Sequence, residues 1–391
     1  MGEKNILWRL SLSPILATES DTKYFVDRSK EVRILLDSLV YRRNVLLVGE
    51  RGSGKSSLLN YIEFRQRDQP GMIIIPVSFG WNIKTPEEFV NLLLSRTLHQ
   101  TQTHSTLKEK ISEFAEKQLA AGQFYKQLKS AQSAQIEDQD LSYSQLGFFE
   151  KLVSLIRAQG FNIAYFVDDA DKYAEAFYNA TSSLRDFLWR TAATYFVSAD
   201  ISSLHIYKRP PLDAFFDHTV HLHELSLGET EMLINARAQG KASHEVCKMV
   251  YEHANGNPRE TLKLLQTIFE DAMRHATESS GSEIETANLG TIDLQASAKA
   301  VTSSLESTLA KRRAELQELG YCERKILEYL ENHGPSSSSE KDFQAYVGVK
   351  RARLVQMLRK LEKKGTLKSI RRGKKKLFFS KYSKVEGIQI G

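Results

Sequence analysis

The sequence predicts an α/β fold in which a parallel sheet is flanked by helices. An apolar run at 45–48 ends in a glycine-rich turn, which opens into residues 58–62 with helical apolar spacing. A second run, 163–167, is continuously apolar, as expected for a strand buried on both faces. Strand-like and helix-like segments alternate over residues 44–225, which is typical of a parallel sheet with helical connections.

Composition favours a chain of two or three domains without a membrane segment. The 391 residues are 41% hydrophobic and 26% charged, and no apolar run approaches the roughly 20 residues of a membrane helix. Two cysteines, Cys247 and Cys322, lack the spacing of a zinc site or a disulfide framework. We therefore expect a cytoplasmic protein with no membrane partner.

Positive charge is concentrated near the carboxyl end. Residues 350–384 contain fifteen Lys or Arg and one acid, so this segment carries +14. The net charge of the chain is only +6, so the remaining residues together carry −8. A basic segment on an acidic body indicates one surface suited to a polyanion.

The chain begins with an irregular leader, residues 1–23. Residues 24–28 then predict a short strand, and 29–41 predict a helix with Ser29 as its N-cap. Two interpretations are open for this pair. It either packs in the core or closes over a ligand bound at the turn that follows.

That turn matches the P-loop pattern Gly49-x-x-x-x-Gly54-Lys55-Ser56, placed between a strand and a helix. Glycines allow successive backbone N–H groups to point at one anion, and the helix start adds further N–H groups. We expect Lys55 to reach the β- and γ-phosphates of ATP and Ser56 to hold Mg²⁺. The predicted nucleotide contacts are Gly49, Glu50, Arg51, Gly52, Ser53, Gly54, Lys55, Ser56 and Ser57.

The next segments supply a strand and a long helical stretch. Residues 72–79 predict a strand, and Pro76 places it toward a sheet edge because proline lacks an N–H. Thr85 and Pro86 mark a helix start. Residues 99–146 are polar and predict a surface helical insertion, which is either solvated or in contact with a partner.

Polar residues follow two of the buried strands. Asp168 and Asp169 end the run at 163–167, where open α/β sheets bind ligands. We expect Asp168 to orient Mg²⁺ and Asp169 to position the attacking water. Ser198 lies near the exit of the strand predicted at 194–200, and it either senses the γ-phosphate or is a structural hydroxyl. A fifth strand is predicted at 220–225.

Helices dominate the next part of the chain. Residues 229–240 and 244–276 predict helices, with a break at 254–259, and 277–299 resemble a linker ahead of a helix at 300–318. The sequence therefore predicts five parts. They are a leader (1–23), a P-loop core (24–228), a small helical lid (229–276), a linker with a connecting helix (277–315) and a C-terminal domain (316–391).

The C-terminal segment resembles a winged helix-turn-helix domain. Helices are predicted at 322–333, 342–346 and 349–364, followed by a hairpin of 366–370 and 376–380. We expect the third helix to enter the major groove of duplex DNA and the hairpin to form the wing. Candidate DNA contacts are Lys350, Arg351, Arg353, Gln356, Arg359, Lys360, Lys363, Arg371, Arg372, Lys374 and Lys375, of which only Arg353 and Gln356 are candidates for reading bases. The alternative is a protein-binding domain with a solvated basic face.

The P-loop, the acidic strand end, the polar strand exit and the helical segment follow one another along the chain. This order resembles that of AAA+ ATPases, in the branch of origin-recognition initiators, transposon regulators and STAND ATPases. Residues 49–56 match the Walker A motif, and Asp168 matches the metal-binding acid of Walker B. Asp169 stands where many members carry Glu, so the resemblance implies nucleotide binding with a low rate of hydrolysis. The resemblance implies that Arg259 is the sensor-2 arginine that touches the γ-phosphate, and it leaves Arg209 as a candidate arginine finger.

The resemblance implies an enzyme that converts ATP and water to ADP and phosphate, with Mg²⁺ and with homo-oligomeric or other protein partners possible. Together with the basic tail, it suggests an ATPase whose nucleotide state controls engagement of DNA. The alternative is a STAND-type signalling switch, in which the C-terminal domain is an autoinhibitory or protein-interaction module.

Overall fold

The computed structural model of the chain describes residues 10–26, 28–67, 69–80, 82–102, 105–120, 138–280, 294–372 and 375–380. The chain divides into two compact units, Met1–Val301 and Thr302–Gly391.

A five-stranded parallel sheet forms the centre of the N-terminal unit, which confirms the predicted fold class. Its strands are β1 (Val45–Gly49), β2 (Met72–Ser78), β3 (Asn162–Asp168), β4 (Thr194–Asp200) and β5 (His218–Leu222). Their order in the sheet is β2-β3-β4-β1-β5. Strand β2 lies at an edge of the sheet, as predicted. There Pro76, which has no N–H to donate, does not remove a hydrogen bond between strands. Strand β5 starts and ends earlier than the predicted 220–225.

Helices connect the strands and continue into the lid. They are α1 (Glu19–Thr22), α2 (Ser29–Val40), α3 (Lys55–Gln66), α4 (Pro86–Thr101), α5 (Ser105–Ala120), α6 (Asp138–Ala158), α7 (Ala174–Ser182), α8 (Arg185–Arg190), α9 (Leu204–Tyr207), α10 (Leu227–Ala238), α11 (His244–Ala254) and α12 (Pro258–Ser280). The described residues of the predicted strand at 24–28 form no strand, and the leader contains α1. The N-cap of α2 is Arg28 in the left-handed region (φ 68°), so the assignment of Ser29 as N-cap was wrong.

Helices cover both faces of the sheet because successive strand side chains point to opposite sides. Leu46 and Val48 belong to one apolar cluster, which includes residues of α4 and α6. Val45 and Leu47 belong to another cluster, which includes residues of α2 and α3. All four side chains are at most 1% exposed, so β1 and the P-loop that follows it are held from both sides.

The polar stretch after α4 packs on the core at its start, so the expectation of a solvated insertion was wrong there. Leu107 and Ile111, one helical turn apart on α5, are buried in the cluster on that face of the sheet. The ring centroids of Phe114 and Phe148 lie 5.3 Å apart. A few apolar residues at helical spacing therefore suffice to dock a mostly polar helix. Residues 121–137 of the same prediction lie outside the described part of the chain.

Helices α10, α11 and α12 form the lid, with an apolar cluster of their own. Helix α10 starts with a capping box in which Ser226 and Glu229 exchange hydrogen bonds. Ile234, Val250 and Ile268 are fully buried between the three helices. Helix α12 runs to Ser280, so the first residues of the predicted linker are helical. Residues 281–293 lie outside the described ranges.

The C-terminal unit contains the three helices and the hairpin expected from the sequence. Its elements after α13 (Leu294–Gln317) are α14 (Tyr321–His333), α15 (Lys341–Val347), α16 (Arg351–Lys363), β6 (Leu367–Arg372) and β7 (Lys375–Ser380). Strands β6 and β7 pair antiparallel, and an isolated bridge joins Ser336 to Phe378. Ile326, Leu330, Leu354 and Leu358 form a separate core, each fully buried. Among the described helices of the chain, none has the length and apolarity needed to traverse a bilayer.

Candidate functional site

The carboxyl ends of the strands bring the predicted catalytic residues to one edge of the sheet. Parallel pairing aligns Gly49 at the end of β1 with Leu222 on β5 and with Asp200 on β4. On the other side, Ser78 of β2 is aligned with Asp168 of β3. The P-loop, the acidic strand end and the exit of β4 therefore lie at the edge where open α/β sheets bind ligands.

A cavity of about 450 Å³ opens at this edge. It is lined by residues 51–57 of the P-loop and α3, by Asp168 and Asp169, and by Arg259 of the lid. Residues 12–15 of the leader and residues 24–26, which follow it, also line the cavity. Its volume lies in the range of small-molecule sites, and it joins a charged end to apolar walls. A nucleotide has the same division into charged phosphates and a flat base.

The P-loop has the features that a phosphate group requires. Lys55 is buried, and its Nζ donates hydrogen bonds to the carbonyl oxygens of Gly49 (2.8 Å) and Glu50 (3.0 Å). Helix α3 begins at Lys55, so the free N–H groups of its first turn face the loop. The buried Ser53 Oγ has no hydrogen-bond partner among the described residues. These donors fit a polyphosphate anion.

The lid contacts the P-loop directly at Gly52. This glycine has φ +89°, and a Cβ there would lie 2.6 Å from Asn257 Oδ1 and 2.8 Å from Arg259 Cβ. Asn257 Nδ2 donates to the carbonyl of Arg51 (3.0 Å), and the Arg259 N–H donates to that of Gly52 (3.3 Å). The start of α12 is thus fixed against the loop, and Arg259 borders the cavity.

Each of the two carboxylates accepts a hydrogen bond from a serine of a neighbouring strand. Ser198 Oγ donates to Asp168 Oδ1 (2.5 Å), and Ser78 Oγ donates to Asp169 Oδ2 (3.1 Å). Ser198 is fully buried, so this geometry supports a role in holding Asp168; a direct contact with the γ-phosphate stays a prediction. Ser78 was missed, although it is a polar residue at a strand end like Asp168.

The donor set at the cavity suits Mg²⁺ better than a metal held by protein ligands alone. Across the described ranges, no group of three or more His, Cys, Asp or Glu side chains forms a metal cluster. Mg²⁺ characteristically takes one or two protein oxygens and completes its shell with substrate phosphates and water. Ser56 and Asp168 both line the cavity and supply oxygens of that type.

Two buried arginines at the cavity were not found from the sequence. The guanidinium of Arg28 donates to the carbonyl oxygens of His223 (2.5 Å) and Ser53 (3.4 Å), which ties the P-loop to the exit of β5. Arg237 of α10 lies 4.9 Å from the ring centroid of Tyr24, and burial lowers the pKa of its guanidinium. These contacts have no local sequence signal, because each of them joins residues that lie far apart along the chain.

Gly256 of the lid makes a second close approach, to Leu225 just before the lid begins. It has φ +70°, and a Cβ there would lie 2.1 Å from the carbonyl oxygen of Leu225. The Leu225 N–H also donates to the Gly256 carbonyl (2.8 Å), so the two backbones cannot separate without losing this bond. The turn that carries Asn257 and Arg259 therefore depends on a residue without a side chain at 256.

Substitution of Gly256→Ala is expected to destabilise the N-terminal unit more than Gly240→Ala. Gly240 has the same φ of +70° but no atom within 4 Å of an added Cβ, so it controls for backbone strain. We expect a strain cost of about 1–2 kcal/mol at both positions and about 1–3 kcal/mol more at Gly256 from the clash. Scanning calorimetry would show the larger fall in melting temperature for Gly256→Ala. Equal shifts would contradict the close approach.

The basic residues of the C-terminal unit lie mainly on one face of α16. Leu354, Met357, Leu358 and Leu361 point into the core. The exposed residues are Lys350, Arg351, Arg353, Gln356, Arg359, Lys360 and Lys363, with Arg371 on β6. Lys374 lies outside the described residues, and only the backbone of Arg372 and Lys375 is described.

Two lysines of the C-terminal unit donate hydrogen bonds to carboxylates of the same unit. Lys360 Nζ donates to Glu323 Oε1 (2.7 Å), and this bond lowers the pKa of that carboxyl. Lys376 Nζ and Ser369 Oγ donate to Glu362, whose pKa they also lower. These pairs join α16 to α14 and to the hairpin. Lys360 is therefore a weaker candidate for phosphate contact than the exposed arginines of the same helix.

Comparisons with known proteins give a distant structural likeness. No protein-family model and no curated protein matches the chain. The chain is similar to the ORC1 protein of Aeropyrum pernix, solved in complex with DNA, with 13% identity, a TM-score of 0.49, and coverage of 96% of this chain and 92% of that one.

Two further solved structures show the same level of likeness. The Aeropyrum pernix ORC2 protein, in ADPNP-ADP complexes, is 15% identical, with a TM-score of 0.43 and coverage of 90% and 88%. Cdc6p from Pyrobaculum aerophilum is 14% identical, with a TM-score of 0.41 and coverage of 94% of both chains. With these identities and TM-scores below 0.5, the likeness does not extend to function, which has to be inferred from the site itself.

Proposed function

We propose that the chain is an ATPase of the AAA+ kind that binds ATP with Mg²⁺, hydrolyses it slowly, and binds duplex DNA through the basic surface of its C-terminal unit. The observation that carries this proposal is the single cavity that joins three separate parts of the sequence. Lys55 comes from the P-loop, Asp168 and Asp169 from the end of β3, and Arg259 from the lid.

The roles of the residues follow from their chemistry. Lys55 and the backbone N–H groups of residues 51–57 bind the phosphates, and Ser56 and Asp168 hold Mg²⁺, which neutralises phosphate charge when bound. Asp169 accepts a hydrogen bond from a water and orients it toward the γ-phosphate. Its side chain is one methylene shorter than that of Glu, which is the reason to expect slow turnover.

The basic surface supports binding of duplex nucleic acid. The three helices and hairpin of the C-terminal unit suit a winged helix-turn-helix, with α16 in the major groove and the β6–β7 hairpin against the backbone. Arg351 and Arg359 contact phosphates, which set position and affinity. Arg353 and Gln356 lie one helical turn apart on the exposed face and present donors to base edges.

Nucleotide state controls this binding through the lid in our proposal. The start of α12 is hydrogen bonded to Arg51 and Gly52, so a ligand in the P-loop acts on the lid at its contact point. Replacing ATP by ADP removes the γ-phosphate that Arg259 would contact. Loss of that contact changes the lid and, with it, the engagement of DNA.

Asp169→Asn is expected to separate nucleotide binding from hydrolysis. The amide keeps the size of the side chain but is a much weaker base, and general-base groups typically contribute about 10²–10⁴-fold in rate. We expect phosphate release to fall about 100-fold while ATP affinity stays within about threefold. Asp213→Asn, at an exposed position, is the matched control. Phosphate release by Asp169→Asn at the wild-type rate would rule out this role.

Phosphate release with and without duplex DNA, across salt concentrations, tests the proposed function as a whole. We expect DNA to change the rate at low salt and the effect to fade as salt rises, because phosphate contacts release counterions. A steady ATPase rate that ignores DNA at every salt concentration would instead favour the signalling switch, in which the C-terminal unit binds protein. If no phosphate were released with or without DNA, the chain would not be an ATPase, and a scaffold that binds ATP without hydrolysing it would be favoured instead.

A further inference from the structure

Part of the leader runs between the lid and the P-loop helix. We call residues 10–17 the leader strap. At one end Leu10 is fully buried in the apolar cluster of the lid, with Ile234 and Ile268. At the other end Ile15 is only 4% exposed. Residues 12–15 line the nucleotide cavity between these two anchors.

Three side chains on one side of α3 and its end hold the strap. The Ile15 N–H donates to Ser57 Oγ (3.3 Å), and Asn60 Nδ2 donates to the Ile15 carbonyl (2.6 Å). Arg67, one residue beyond the end of α3, donates to the carbonyl of Ala17. The spacings of three and seven residues put these groups on the same helix face. Ser57, a predicted nucleotide contact, thus accepts a hydrogen bond from the strap.

The chain then folds back so that it lines the cavity a second time. The Leu16 N–H donates to Asp21 Oδ2 (3.1 Å), and α1 turns the chain toward Tyr24. Residues 24–26 border the same cavity, and the ring of Phe25 stacks on Tyr61 of α3 at 4.2 Å. Residues 10–26 therefore form a loop that lines the cavity twice. The first of the two segments, the leader strap, is hydrogen bonded to α3 and to the residue that follows it.

We propose that the leader strap retains the bound nucleotide, and that Asn60 is the positioning residue that keeps the strap in place. This inference rests on the proposed nucleotide site. Asn60 does not line this cavity; it borders the neighbouring pocket of about 270 Å³ that Asp168 and Asp169 also line, and it acts on the strap through the Ile15 carbonyl. Because the strap is anchored both in the lid and on α3, a nucleotide leaves only after the strap detaches from α3. Loss of one anchor therefore raises the rate of nucleotide release without altering the hydrolytic groups.

The test combines nucleotide release with hydrogen exchange of the strap. Release of a fluorescent N-methylanthraniloyl-ATP is followed by stopped flow for the wild type, Asn60→Ala and Asn60→Asp. The aspartate keeps the side-chain shape but cannot donate to the Ile15 carbonyl. We expect release to be about fivefold faster in both variants, the equivalent of one hydrogen bond, with the maximal hydrolysis rate unchanged. Asn91→Ala, at an exposed position on α4, is the control.

Hydrogen exchange of residues 11–17 in nucleotide-free protein reports the strap itself. We expect both Asn60 variants to lose amide protection in this segment, while the β1 and β3 amides exchange as in the wild type. Unchanged release and unchanged protection in a folded Asn60 variant would overturn the proposal. A wild type that binds no nucleotide but shows the protected strap would instead refute the proposed function, so the two failures are distinguishable.

Discussion

Replacement of Lys55 by methionine is expected to lower the affinity for ATP at least 100-fold. The lysine is buried beside the loop, with its ammonium group held by two loop carbonyls. Methionine keeps the apolar stem and removes the charge. Hydrogen bonds to charged groups contribute about 1.5–3 kcal/mol each, and a phosphate left facing an uncharged site loses more. Equilibrium binding of labelled ATP with Mg²⁺ measures the change.

The control for this experiment is Lys248→Met on α11, which removes one exposed ammonium from the lid. Its ATP affinity should equal that of the wild type. Melting temperatures of both variants show whether the fold persists, since Lys55 also ties the loop together. If a folded Lys55→Met protein bound ATP as well as the wild type, the phosphate site would have to lie elsewhere.

The double substitution of Arg351 and Arg359 by alanine is expected to weaken duplex DNA binding at least tenfold at about 100 mM salt. Both side chains are exposed on the same face of α16, and neither supports the core. The salt slope is the slope of the logarithm of the binding constant against the logarithm of the salt concentration. Each lost phosphate contact reduces its magnitude by about 0.9, so the loss of two contacts reduces it by about 1.8. Fluorescence anisotropy with a labelled duplex over a salt series measures affinity and slope together.

A matched double variant carries the same change of charge on the N-terminal unit. Arg33 on α2 and Arg65 on α3 are exposed, and their replacement by alanine should leave the salt slope unchanged. Equal losses of DNA affinity in both double variants would mean that the net charge of the chain, rather than the face of α16, governs binding. The basic surface would then have no specific role.

The parts of the fold that were predictable are those set by local pattern. The apolar runs of β1 and β3, the helix start at Thr85 and Pro86, and the edge position of β2 each have a cause within a few residues, and the structure has each of them. Arg28 is different, since its left-handed backbone is fixed by contacts with Ser53 and His223. The prediction of Ser29 as N-cap failed for that reason.

Much the same division holds at the candidate site. The positions of the P-loop turn and of Asp168 could be predicted because the apolar runs before them show where the strands end, whereas their chemical roles stay predictions. The hydrogen bond from Ser78 to Asp169 joins residues 91 positions apart. The hydrogen bond from Asn60 to the Ile15 carbonyl joins residues 45 positions apart. No local periodicity encodes such separations. The salt bridge between Lys360 and Glu323 could not be predicted either. A row of basic residues on a helix has the same sequence pattern whether or not its side chains form ion pairs.

The most direct test of the account is the DNA affinity of the wild-type chain, measured at one salt concentration with ATP, with ADP and without nucleotide, in the presence of Mg²⁺. Coupling energies between sites are typically about 1–3 kcal/mol, so the affinity with ATP should differ at least fivefold from that without nucleotide. The Lys55→Met protein should show a single affinity in all three conditions. Equal wild-type affinities in all three would contradict the claim that the nucleotide site controls the basic surface.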